Sequence, residues 1–394
     1  MTVNHSGTKN RIDVVDLGRG AVMAIMALDH TRTFLTNVPY NPSDLTRTFP
    51  ALFFTRWISH FCTPLFLFLA GSGAYFMTTR RERPAVAWFL VTRGLVLVGL
   101  ELTVVRWGWY FNLDYRHTSL QILWAIGVAM VGLAPIVFLS PRLVGAIGLA
   151  IVALHNLVGA SIGSAVGEGS WLWALLYERG RELTVAPGVV LVVNFPVLPL
   201  FGVMAMGYGF GEILRSPAAD RRRACLVVGA ASVSTFLALR FFNVYGDPLS
   251  WAPQPDAVIS LLSFLSLTKH PLSLSMTLAT LGPAILWLGV VRAERPVWRP
   301  LVVIGRVPMA FYLVHVPVIH AFALAYSLTF HGSAEWLLTS PFDRGAMHQV
   351  PDGWGFGLPG VYACWVLLLL LLYPLCSWFA RLKAQSRSPW LSYL

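Results

Sequence analysis

The sequence predicts an all-α, polytopic membrane protein with about ten transmembrane helices in one bundle. Three observations carry that prediction. Of 394 residues, 56% are hydrophobic and only 12% are charged, roughly half the charged share of a soluble domain. Mean hydropathy is +0.65. Apolar runs of about 20 residues, long enough to cross a bilayer, recur along the whole chain. No fixed-period repeat and no domain-separating linker interrupts them, so residues 1–394 read as a single transmembrane domain.

The expected spans follow in order. The first, 17–36, comes after mostly polar residues. It is expected to be retained, because no A-x-A-like cleavage site follows it and it carries Asp29 and His30. Span 52–77 holds Pro64, which frees a backbone carbonyl, and Gly71 and Gly73, which admit a close neighbour. Span 86–106 is apolar except for Arg93, the terminal Arg106 and, about one turn deeper, Glu101; 119–139 and 142–165 are apolar almost throughout. Span 188–214 carries a small face of Gly202, Gly207, Gly209 and Gly211. Its GYGFG stretch has no preceding strand and is read as helix packing, not as a phosphate loop. Spans 223–243, 272–291, 302–326 and 360–381 complete the set, and Pro308 and Pro317 predict a kinked helix around a cavity. The shorter run 256–267 reads as a surface or re-entrant helix.

Net charge is +11, from 26 Arg and 3 Lys against 18 acidic residues. The basic residues lie between apolar runs and not in one exposed stripe, which argues against a nucleic-acid partner and for the lipid bilayer. With ten spans and a cytoplasmic N-terminus, 19 of the 29 basic residues fall on the cytoplasmic side, including Lys9, Arg11 and Arg387. Those connections are short, whereas 166–187, 244–271 and 327–359 are longer and mixed in charge. The positive-inside rule therefore places both termini in the cytoplasm. The preference for Arg over Lys fits a GC-rich genome, and a bacterial inner membrane is the expected location. Cys62, Cys225, Cys364 and Cys376 sit in apolar runs without metal-like spacing and read as small hydrophobes, so no metal is expected.

This topology gathers the unusual polar residues toward the outer leaflet. His30 and Arg32 end the first span, and Arg56 and His60, at i and i+4, begin the second. Asp29 and Arg32, at i and i+3, can neutralise each other as a local ion pair. His30 points about 100° away from Asp29 around the helix and is left without that explanation. Glu101 needs a proton or a partner, with Arg106, Arg32 or Lys269 as candidates. Asn194, Arg240, Lys269 and His270 also emerge on the outer side, and His315 lies deeper. Ionisable residues inside a membrane are a functional site by default, although His315 serves equally well as a hydrogen-bonded core histidine.

Four stretches, VVDLGRGAVMAIMALDHTRTF, LFFTRWISHFCTPLFLFLAGSGAYF, TKHPLSLSMTLATLGPA and GRVPMAFYLVHVPVIH, resemble the heparan-α-glucosaminide N-acetyltransferase-like family of transmembrane acyltransferases. The resemblance runs over roughly residues 11–325. It implies transfer of an acetyl or similar acyl group from cytoplasmic acetyl-CoA, or another acyl-CoA, to an extracytoplasmic glycan or amino-sugar acceptor. In the lysosomal branch the position matching His30 is an asparagine, and the key histidine lies in the loop before the second helix. Here residues 36–51 contain no histidine, which leaves His30 and His60. In the wider acyltransferase group a histidine near the outer end of the first helix is the usual catalytic candidate, which points to His30.

Acyl transfer from a thioester needs a base for the acceptor, or a histidine that carries the acyl group. His30 is expected in one of those roles, with Asp29 or Glu101 orienting it and His60 assisting. Arg32, Arg56 or Lys269 would stabilise the oxyanion. Asn194, Arg240, His270 and His315 complete the expected substrate site. Arg80, Arg81 and Arg93 would bind the phosphates of CoA. A second reading is a proton-coupled transporter or flippase of a glycan or small solute, with Asp29, Glu101 and His315 as a relay. Against it, the sequence shows no inverted repeat. A homodimer is compatible with the sequence and not fixed by it.

Overall fold

The computed structural model describes residues 13–167, 170–339 and 350–386, apart from the side chains of residues 158, 160, 162 and 166. Lys9, Arg11 and Arg387 lie outside the described residues. The fold is 73% helical. Its long helices are α1 (Asp13–Leu35), α2 (Pro50–Thr78), α3 (Arg83–Tyr110), α4 (Ile122–Ile136), α5 (Pro141–Val166), α6 (Val197–Arg215), α7 (Ala218–Phe242), α8 (Leu274–Val290), α9 (Pro308–His331) and α10 (Leu358–Gln385). Of these, α2, α3, α6, α7, α9 and α10 are long and apolar enough to cross a membrane. α4, α8 and the Pro141–Leu157 part of α5 are apolar but shorter. α1 is long enough, yet it carries Asp13, Asp16, Arg19, Asp29 and Arg32.

Backbone chemistry explains the interruptions. α2 passes through a 3-10 turn at Ile58–Phe61, three residues before Pro64, and α3 through a π turn at Glu101–Val105. Such turns re-aim side chains and recur at functional sites. α1 runs through the interior, against α2, α9, α10 and a short helix at Arg299–Arg306. α7 and α10, at the periphery, expose apolar side chains such as Phe241, Phe242, Leu367, Leu370 and Leu371. α2 and α6 cross at backbone contact. A Cβ on Gly71 would run into the Met204 carbonyl, and one on Gly207 into the Phe68 carbonyl. Ser72 Oγ donates to the Gly207 carbonyl at 2.8 Å across that crossing.

Two expectations need correction. The fold is not all-α: β1 (His117–Leu120), β2 (Arg181–Ala186) and β3 (Val189–Val193) form a small sheet in the order β1-β3-β2. β2 and β3 pair antiparallel around Pro187 and Gly188, the glycine at φ +73°. β1 runs parallel to β3, with Leu120 opposite Val193. The expected span 188–214 therefore begins as a strand, and its helix starts only at Val197. The β-branched run VVLVV beside a Pro-Gly turn favours a hairpin over a helix. This sheet feeds the site directly: β1 leads into α4 at Ile122, and β3 leads through Asn194 to Phe195.

Candidate active site

His30, on α1, lies against His315, on α9, with Nδ1 of His30 2.8 Å from Nε2 of His315. Their rings are near-parallel, inclined by 17° with centroids 5.0 Å apart, and Trp109 meets His30 edge-on at 4.9 Å. The partners decide the tautomers. Nδ1 of His315 faces the Tyr312 carbonyl at 2.7 Å and the Phe311 carbonyl at 3.2 Å. Carbonyls only accept, so His315 donates from Nδ1 and its Nε2 is an acceptor. His30 then donates from Nδ1 and keeps its lone pair on Nε2. A chain of two hydrogen bonds thus fixes which His30 nitrogen is basic.

His30 lines a small pocket of about 60 Å³ with Met26, Asp29, Ser59, Cys62, Phe195 and Lys269. Phe66, Thr63 and Ile122 close it. Asp29, expected to orient His30, is held elsewhere: Arg32 Nη2 donates to Oδ1 at 3.1 Å and Arg56 Nη1 donates to Oδ2. Arg56 also donates to Ser59 Oγ at 3.1 Å. A buried carboxylate between two guanidiniums is a structural clamp. It joins the end of α1 to the start of α2, and among the described residues Lys269 is the pocket's cation and has no hydrogen-bonded acid. Lys269 lies outside the long helices; burial and the nearby Arg56 push its ammonium down to about 7.

The remaining sequence candidates fall into place differently. His60 is 7% exposed, its Nδ1 has no partner among the described residues, and it does not line the pocket around His30. Among the described residues, the partners shown for Glu101 are backbone groups and not the expected bases. Its Oε2 accepts from the Leu123 and Trp124 backbone N–H groups at 2.9 and 3.1 Å and so caps α4. Arg106 instead donates to the Asn112 and Asp114 carbonyls. Arg240, 3% exposed, donates to the carbonyls of Ser263, Phe264 and Ser266 at 3.1, 2.9 and 2.7 Å. It holds the loop that carries Lys269 and contributes nothing to the pocket lining. Asn194 donates its backbone N–H to the Leu120 carbonyl at 3.2 Å. His270 stands edge-on to Phe195 at 4.5 Å, behind the pocket.

Asp247 was not among the expected residues. Its carboxylate accepts from Thr268 N and Oγ1 at 2.9 and 2.8 Å and from Ser273 Oγ at 2.7 Å. It thereby pins both ends of the Lys269 segment. One hint was present in the sequence, an acid beside Gly246 in an apolar region, but nothing local reveals partners 21 and 26 residues away.

A second cavity, of about 860 Å³, opens toward the face that holds the start of α1 and the end of α10. Of the three arginines expected at CoA, Arg80 and Arg93 line it, whereas Arg81 does not and lies over the Phe89 ring at 6.0 Å. Arg19, Arg215, Arg221, Arg306 and Lys383 also line it, and among the described residues Asp16 is the one acid in the lining. Its volume suits a large ligand, and its charge suits a polyanion. Among the described residues no group of three His, Cys, Asp or Glu side chains is placed to hold a metal.

The model of the heparan-alpha-glucosaminide N-acetyltransferase catalytic family matches residues 11–243. The chain belongs to that family. It is a family of membrane acetyltransferases, and the match covers α1 through α7. Lys269 and His315 lie beyond the matched residues, yet they complete the site built by Asp29 and His30 within them. None of the curated proteins compared with the chain matches it.

Proposed function

We propose that the protein is an acyl-CoA-dependent membrane acyltransferase that moves an acetyl or similar group across the bilayer to an amino-sugar or glycan. The observation that carries this reading is the Nε2 of His30, which has no hydrogen-bond partner among the described residues and stands at the end of the hydrogen-bond chain from Tyr312 through His315. All ten long helices cross the membrane in this proposal. The arginine-rich cavity faces the cytoplasm with both termini, in keeping with the positive-inside rule. The seven basic side chains there receive the phosphates of CoA, and the thioester points toward His30.

His30 acts as the general base. Its Nε2 takes the proton from the acceptor's amine or hydroxyl as that atom attacks the thioester carbonyl. Lys269 stabilises the oxyanion that forms. The C–S bond then breaks, and the imidazolium returns its proton to the departing thiolate. His315 holds the imidazole in its productive tautomer, the part that a carboxylate plays in a serine-protease triad. Membership of the family supports the acetyl donor and the amino-sugar acceptor.

The test is transfer in proteoliposomes, with labelled acetyl-CoA on the arginine-rich side and a glucosamine-terminated oligosaccharide on the other. N-acetylated sugar is expected to form with wild-type protein, and at least about 100-fold more slowly with His30→Gln. Absence of transfer from any acyl-CoA, together with solute uptake that needs none, would replace this reading with a transporter.

A further inference from the structure

Two cavities that hold donor and base must meet, and three helices mark the same level for their junction. On α1, Met23 lines the large cavity and Met26 the small pocket, less than one turn apart. On α2, Ala70 and Gly73 line the large cavity, Cys62 and Thr63 line the pocket, and Phe66 lines both. On α4, Ile126 and Met130 line the large cavity, and Ile122 lines both. Phe66 and Ile122 are the two residues common to the linings, and each is half-buried although it sits inside the bundle. Ile122 has little freedom to withdraw, because Glu101 holds the N–H groups of Leu123 and Trp124 directly after it.

We propose that Phe66 and Ile122 form the partition between the two cavities and limit the length of the acyl group that can be transferred. The inference rests on the acyltransferase reading and adds a specificity determinant to it. A thioester that reaches His30 must carry its acyl chain past this pair into about 60 Å³. At roughly 15 Å³ for each water-sized group, the pocket holds about four such groups. The acceptor's attacking atom takes part of that space. An acetyl group fits, and each added methylene meets Phe66, Ile122 or the pocket wall. The partition also keeps the polyanion in the large cavity apart from the histidine pair.

The test uses Phe66→Ala, with Ile122→Ala as a second variant, in two arms. The first compares transfer from acetyl-CoA and butanoyl-CoA. The butanoyl-to-acetyl ratio is expected to rise about tenfold or more in either variant, the usual discrimination of an apolar pocket against added methylenes. The second arm needs no transfer. Cys62 lines the pocket, so it reports passage when Cys225, Cys364 and Cys376 are replaced by serine. A membrane-impermeant anionic methanethiosulfonate is applied from the arginine-rich side. Wild-type Cys62 is expected to resist it, and the variants are expected to react at least tenfold faster. Equal labelling of wild type and variants would overturn the partition, and an unchanged chain-length ratio would overturn the limit. Failure of all acyl transfer would sink the proposed function alone, because the labelling arm still decides the partition.

Discussion

The two cavities are built on opposite principles. The pocket around His30 is small, and short chains of partners hold the groups that shape it: His315 by two backbone carbonyls, Asp29 by two arginines, the Lys269 segment by Asp247 and Arg240. The large cavity is about fourteen times roomier by volume (860 against 60 Å³), and among the described residues seven cationic side chains and one acid line it. The first arrangement gives geometry, which bond-making requires. The second gives charge and room, which holding a large anion requires. Substitutions in one should therefore damage rate, and substitutions in the other affinity.

The largest effect is expected at His30. His30→Gln should lower kcat by about 10²- to 10⁴-fold, the usual worth of a positioned general base, with donor KM unchanged. At His315 the size of the effect depends on the replacement. His315→Phe removes the acceptor for His30 Nδ1–H and should cost about 10- to 100-fold, as loss of an outer-shell partner does. His315→Gln keeps an acceptor oxygen and should recover most of that loss. A purely structural histidine would not distinguish the two. In the large cavity, Arg80→Gln with Arg93→Gln should raise the KM for acetyl-CoA about tenfold through lost charge-assisted hydrogen bonds and leave kcat alone. Arg81→Gln, outside the lining, should do neither.

The smallest effect is one of pH. Lys269 is held down to about 7, so its cation is present below that pH and lost above it. If the cation stabilises the oxyanion, the rate falls as pH rises through 7. Lys269→Arg stays charged, so it should extend activity to higher pH and be several-fold less inhibited than wild type at pH 8. An identical alkaline limb in both proteins would remove Lys269 from the chemistry.

The helices of this fold were legible because a hydrocarbon solvent forces apolar runs to be long and continuous. Expected spans at 223–243, 272–291 and 360–381 match α7, α8 and α10 to within a few residues. The strand at Val189–Val193 was hidden by the same rule, since an apolar run does not show its period when every residue is apolar. The site was legible by residue type and not by partnership. Asp29, His30, Lys269 and His315 do come together. The pairing that matters, His30 with His315, joins positions 285 apart and has no local signal. The expected partners of Glu101 were charges, whereas it bonds to backbone N–H groups, and Arg240 likewise bonds to backbone carbonyls; sequence displays neither kind of partner.

The most direct measurement is donor binding beside single-turnover transfer in the same His30→Gln preparation. The protein should bind CoA with the wild-type Kd, because the basic cavity is untouched, and should transfer acetyl about 10²- to 10⁴-fold more slowly. A folded His30→Gln protein that transfers acetyl at the wild-type rate would contradict the account.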